Sequence, residues 1–115
     1  MEVRAKLVGI RMGARKGRLV ADMIRRRSAG EALNILEGCE RRVAVPMEKL
    51  LRSALANAEE HNARHQAGID LDNLYIKTIT VDEGARGWRI RARAQGRANW
   101  INKATSHISL VLDER

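Results

Sequence analysis

His61 and His65 stand four residues apart in a stretch of helical periodicity, a spacing at which two imidazoles can share a metal ion. A zinc-protease helix carries Glu directly after the first His. Here that position is Asn62, and no third ligand is evident in the sequence. Ser106 and His107 are neighbours in an alternating segment. Adjacent strand residues face opposite ways, so they make no nucleophile and base pair, and Asp82 and Glu83 fail as paired carboxylates for the same reason. Gly13 and Gly17 lack the spacing and the Lys-Ser/Thr ending of a phosphate loop. Cys39 is the single cysteine, cannot form an internal disulfide, and reads as a small half-buried thiol. The expectation is no active site, no metal, no cofactor and no small-molecule substrate.

The chemistry that is present is cationic. Residues 85–112, "ARGWRIRARAQGRANWINKATSHISLVL", hold six Lys or Arg and no Asp or Glu. Arg89, Arg91 and Arg93 alternate with Ile90, Ala92 and Ala94. In a strand, side chains two apart share a face at roughly 6.6 Å spacing. A row of guanidiniums is unfavourable alone and favourable beside a phosphate chain, which guanidinium binds bidentately while also stacking on bases. That favours folded RNA, with its phosphates and exposed bases, as the partner. Ala94, Gln95 and Gly96 suit a reversal, and Gly96 can take positive φ. A turn near 94 and 95 would put Trp88 and Trp100 roughly opposite each other, either as a cross-strand pair or as a surface for bases. An isolated hairpin is marginal in water, so its partner is expected to hold this arm.

The elements that must position these cations follow from periodicity. Residues 2–11 alternate, giving a strand with Arg4 and Lys6 on one side. "GARKGRLVADMIRRR" carries a helical stripe at Leu19, Val20, Met23 and Ile24. Arg15, Lys16 and Arg18 crowd its first turn, where the helix dipole disfavours cations, which points to an external anion. Arg25, Arg26 and Arg27 are expected to close that helix. Ser28 and Glu31 form a capping-box pattern opening a short second helix that Gly38 can end. The longest helix starts at Val43 with Pro46 in its first turn, and its stripe is Val43, Met47, Leu50, Leu51, Ala54, Leu55 and Ala58. After a loop at 66–73, "LYIKTITV" reads as a strand interrupted by Asp82, Glu83 and Gly84, and "HISLVL" as the last strand. The chain of 115 residues fits one domain. It is 44% hydrophobic, with 3% aromatic residues, no Phe and a net charge of +8. Such a balance suits a polyanionic partner. No apolar run reaches the ~20 residues of a membrane span, and the N-terminus does not read as a signal peptide, so a cytosolic setting is expected.

"RKGRLVADMIR", "EALNIL", "EKLLRSALANAE", "NLYIKTITVDEG", "RAQGRA" and "TSHISLVL" occur in the order found in the bacterial large-subunit ribosomal protein 22 family, which the chain resembles over nearly its whole length. The resemblance implies an α+β fold, a three-stranded antiparallel sheet packed on about three helices with a long protruding β-hairpin. It divides a single domain, 1–115, into a body of 1–83 and 101–115 and an arm of about 84–100. It implies a structural role in the large subunit: binding 23S rRNA, helping assembly and lining the nascent-peptide exit tunnel with the hairpin tip. Neighbouring ribosomal proteins and the nascent peptide would be the other partners, in the cytoplasm and with no membrane. The RNA-binding residues expected are Arg4, Lys6, Arg11, Arg15, Lys16, Arg18, Arg86, Trp88, Arg89, Arg91, Arg93, Arg97, Lys103 and His107, with the tip at Arg93, Ala94, Gln95 and Gly96. Where the family usually has Ser-Pro this chain has Gly13-Ala14. Gly84-Ala85 replaces Gly-Pro, Ala92 replaces Pro, and Ala104 replaces Arg. The basic ribbon alone equally allows an RNA- or DNA-binding regulator or chaperone outside the ribosome.

Overall fold

The computed structural model of the chain describes residues 2–66, 68–92, 96 and 98–114, with the backbone alone at 89, 91, 92, 98, 99, 101 and 102. In chain order these form β1 (Val3–Ile10), α1 (Ala14–Ile24), α2 (Ala29–Glu37), α3 (Ala44–His65), a 3-10 turn at Leu71–Asn73, β2 (Leu74–Glu83), β3 (Gly87–Ala92), β4 (Ala98–Lys103) and β5 (Ser106–Glu114). Strand β5 lies between β1 and β2, antiparallel to both, while β3 and β4 pair only with each other. The fold is α+β, a three-stranded sheet covered by helices with a separate hairpin.

One sheet face is buried. It carries Val3 of β1, Leu74, Ile76, Ile79 and Val81 of β2, and Ile108, Leu110 and Leu112 of β5. Strict alternation from Ile76 would turn Thr78 and Thr80 inward. A bulge between Ile76 and Thr78 adds one residue, Lys77, and resets the parity so that Ile79 and Val81 face the core. Helix α3 lies against β1 and β5, α1 against β2, and α2 against α1 and α3. The α3 stripe is buried at Met47, Leu50, Leu51, Ala54 and Ala58, with Leu55 partly so. At Gly17, α1 comes so close to β2 that an added Cβ would lie 3.0 Å from Val81 Cγ1.

Helix boundaries explain three local sequences. Ser28 caps α2 by accepting from the Glu31 backbone N–H at 3.3 Å, as the capping box requires. Helix α1 ends at Ile24, closed by Arg25 as its C-cap, whose N–H donates to the Ala21 carbonyl at 3.0 Å, while Arg26 and Arg27 lie beyond it. Arg26 takes φ 67°, and the backbone of residues 26 and 27 pairs with Ile76. That exchange of helical for cross-chain hydrogen bonds seats the α1–α2 connection against β2. Asn62, between the two candidate metal ligands, is a clamp: its side-chain amide donates to the Ile69 carbonyl and accepts from the Ile69 N–H, both at 2.8 Å.

Two further expectations change. Strand β2 continues through Asp82 and Glu83, which pair with His107 and Ser106, so the acidic pair does not interrupt it. In the hairpin, Trp88 pairs with Asn102 and Trp100 with Ile90, so the tryptophans are diagonal rather than opposite. The register puts Ala92 opposite Ala98 and so moves the partner of Trp88 two residues along from Trp100, and Gly96 has φ +69°. The radius of gyration is 17.5 Å, against about 13 Å for a globule of this length. The longest dimension is 65 Å and the shortest 16 Å.

Candidate nucleic-acid interface

The arm is fixed to the body by the sequence "TSH". The Gly84 N–H donates to the Thr105 carbonyl at 2.9 Å, and the Thr105 hydroxyl donates to the Ala85 carbonyl. Ser106 is buried, and its hydroxyl donates to the Met12 carbonyl at the end of β1. His107 Nδ1 accepts from the Gly9 N–H at 3.0 Å, where β1 bulges and Gly9 takes φ +76°. An Nδ1 that accepts must be unprotonated, so the proton of a neutral His107 sits on Nε2. Gly84 is required at the crossing: a Cβ there would lie 2.6 Å from Thr105 Oγ1 and 3.0 Å from the His107 ring. These bonds place the arm's root beside the β1–α1 turn.

A groove of about 1150 Å³ opens between that turn, the α2–α3 connection and the arm's root. Its cations are Arg11, Arg15, Lys16, Arg41, Arg42, Arg86 and Lys103, and no carboxylate lines it. Glu83 reaches Arg86 at 3.2 Å from outside the lining. The two helices that begin at the groove are those without a side-chain cap. Gly13 precedes α1 and Val43 precedes α3, and neither first turn holds an acid. Their positive dipole ends therefore add to the side-chain charge, although in α3 the Ala44 N–H already donates to the Arg41 carbonyl and Pro46 has none to give. Helix α2, with its Ser28 cap and Glu31, is internally satisfied by contrast. Phosphates are the ligands this arrangement suits.

The structure brings together six of the expected residues: Arg11, Arg15, Lys16, Arg86, Trp88 and Lys103 all line the groove. Arg89 and Arg91 continue along β3, their backbones paired with Ile101 and Asn99. Of the tip, Gly96 is described, while Arg93, Ala94 and Gln95 lie outside the described residues, as does the expected RNA contact Arg97. Three groups sit elsewhere. Arg4 and Lys6 are exposed on the sheet face away from the helices, and Arg4 contacts Glu2 at 3.3 Å. Arg18 donates through Nε to the Val81 carbonyl at 3.1 Å, tying α1 to β2. His107 serves the β1 bulge, as described.

Arg41 and Arg42 were missed by sequence reasoning. Their signal is a pair of cations just before a helix that lacks a Ser, Thr, Asp or Asn cap. It is the same argument that singled out Arg15 and Lys16.

Charge on the far sheet face is locally compensated. Lys77 bonds Glu2 and approaches Asp113 at 3.7 Å. The Lys77 hydrogen bond, seconded by that of Arg4, holds the Glu2 carboxyl below its ordinary range, and Glu2 in turn raises Lys77. The Glu114 N–H lowers Asp113. His61 and His65 have ring centroids 5.8 Å apart, in a surface depression that Glu60 and Arg64, paired at 3.0 Å, also line. Among the described residues no three His, Cys, Asp or Glu converge to hold a metal, and no helix is long and apolar enough to cross a membrane.

The family model of ribosomal protein L22p/L17e matches residues 5–113. The chain belongs to this family. It is 45% identical over 115 residues to the large ribosomal subunit protein uL22 of Bdellovibrio bacteriovorus, covering 100% of each chain. The L22p/L17e family is one of ribosomal structural proteins and not an enzyme family.

Proposed function

We propose that this chain is a structural constituent of the large ribosomal subunit, in the cytoplasm. It binds 23S rRNA through the groove and the arm, helps the subunit assemble, and lines the nascent-peptide exit tunnel with the hairpin tip around residues 93–96. It catalyses nothing. Its partners are 23S rRNA, neighbouring large-subunit proteins and the nascent peptide at the tip. The body of 1–83 and 101–115 carries the groove, and the arm of about 84–100 reaches from it.

The observation that carries this reading is the groove, in which seven cations and two uncapped helix N-termini converge at the root of a protruding hairpin. A phosphate chain is the partner that relieves their mutual repulsion. Arg4, Lys6, Arg18 and His107 have smaller parts in it than the groove residues, because their side chains lie off it or already hold the body together.

Two measurements test the proposal. The tagged protein, expressed in its own cell, should co-sediment stoichiometrically with large subunits through a high-salt cushion, and absence from the subunit peak would overturn the ribosomal role. A photo-crosslinker at Gln95 should capture a stalled nascent chain or tunnel-wall nucleotides. Crosslinks confined to RNA of the outer surface would overturn the tip assignment.

A further inference from the structure

The chain's two tryptophans lie on the same face of the arm, and the body covers neither. Trp88 is 59% exposed, Ile90 62% and Trp100 66%. The pairing of Ile90 with Trp100 sets these three side chains side by side, with Trp88 diagonal to Trp100. Neighbours so related lie within about 4.5–8 Å. A two-stranded ribbon has no second layer to bury such a stripe against. An apolar face on a cationic arm therefore calls for an occupant that is flat, apolar in the plane and negatively charged at its edge.

From this we propose that Trp88, Ile90 and Trp100 form a stacking platform for unpaired bases of RNA. The inference rests on the RNA-binding role proposed above and names the part of the RNA that meets this face. Charge chooses the occupant. No Asp or Glu occurs between Gly84 and Leu112, so an acidic rim that would welcome a basic peptide is absent, while Arg86 and Lys103 flank Trp88. Continuity supports the same choice, because Trp88 itself lines the cationic groove. A strand whose phosphates enter the groove meets the indole of Trp88 as the first apolar surface along the arm. Indole accepts any base, since every base has a π-face, so the platform selects single-stranded RNA over duplex without reading sequence.

The two tryptophans also make the test direct, because all indole fluorescence of the full chain comes from this face. The probes are a mixed-sequence single-stranded RNA of about 12 nucleotides, a duplex RNA of the same charge, inorganic polyphosphate and an apolar peptide. Single-stranded RNA should quench the fluorescence, and polyphosphate should bind without quenching. Trp88→Ala and Trp100→Ala should each weaken single-strand binding roughly 5- to 150-fold and leave the salt slope unchanged. Trp→Phe should restore most of the loss and Trp→Leu should not, an order that simple apolar cover does not produce. Far-UV circular dichroism of each variant should match the parent, since both side chains lie outside the core; the quenching of the unmodified chain stands without the variants. Equal quenching by polyphosphate or duplex, quenching by the peptide alone, or unchanged single-strand affinity in both alanine variants would overturn the platform and leave the groove's role intact. Failure of the unmodified chain to bind any of the RNAs would overturn both.

Discussion

Replacing Arg41 and Arg42 by Gln isolates the groove from the arm, because both residues line the groove and neither belongs to the hairpin. Each cation that neutralises a phosphate contributes about 0.7 to the log–log salt slope on single strands and about 0.9 on duplex DNA. Two lost contacts lower the slope by about 1.4–1.8. Across a fourfold rise in salt, from about 50 to about 200 mM, affinity then falls about 7- to 12-fold less steeply than in the parent. Filter binding or fluorescence anisotropy on a ribosomal RNA fragment over that range reads the slope directly. The control is Arg52→Gln: Arg52 is committed to Glu48 at 2.8 Å and Glu37 at 3.2 Å, so its loss should leave the slope unchanged. If the Arg41/Arg42 double variant keeps the parental slope, those guanidiniums do not meet phosphate and the groove is no interface. A slope lowered equally by the control would mean that net charge alone is being read.

Ser106→Ala leaves the part-buried Met12 carbonyl without this donor and should lower unfolding free energy by about 0.5–1.5 kcal/mol; a urea midpoint shift worth under about 0.5 kcal/mol would refute the anchoring role. Because Lys77, then Arg4, depresses the Glu2 carboxyl, its contribution is present above the ordinary value of 4.5 and is lost as pH falls through the lowered one. Glu2→Gln should therefore shrink the acid limb of the stability profile, and an unchanged limb would show that the pair adds nothing. Amide exchange at Trp88, Ile90 and Trp100 in the free protein should be faster than at Leu51 in α3, since β3 and β4 have only each other. Equal protection would mean that the arm supports itself.

Most of the body was legible because it is built from periodicity. The α3 stripe, the α2 capping box and the alternating strands β1 and β5 are each written in residues near one another in sequence. What was not legible depends on partners far along the chain. The end of α1 at Ile24 is decided by Ile76, which takes the backbone of Arg26 and Arg27. The faces of β2 are decided by a bulge at Lys77 that local pattern does not announce. The bond from the Gly9 N–H to His107 Nδ1 joins residues 98 apart, and no local pattern announces it. Of the groove cations at helix starts, Arg15 and Lys16 stood out against the dipole of α1, while Arg41 and Arg42, just before α3, did not. The tryptophan register slipped because a reversal among small residues leaves its centre open by one position.

Gathering like charges at one groove carries a stability cost in the free protein, and salt should expose it. Arg11, Arg15, Lys16, Arg41, Arg42, Arg86 and Lys103 face one space, beside two positive helix ends, in a chain of net charge +8. The Debye length is about 10 Å at 0.1 M, and exposed charges farther apart than that are largely screened, so moderate salt should weaken the repulsion across the groove and raise the melting temperature of the free protein. Bound RNA reverses the sign. At a concentration about 100 times Kd it adds about 2.7 kcal/mol, and at roughly 3–6 °C per kcal/mol for a domain of this size that raises the melting temperature by roughly 8–16 °C. Salt then releases the RNA and removes the gain. The free protein and the complex should therefore respond to added potassium chloride in opposite directions, converging where the RNA dissociates. Differential scanning fluorimetry or calorimetry over a salt series decides it. A free protein that salt destabilises would mean that its surface ion pairs, such as Arg64–Glu60 and Arg52–Glu48, outweigh the groove's repulsion. In that case the groove's charge is no strain on the free protein and does not call for a polyanion.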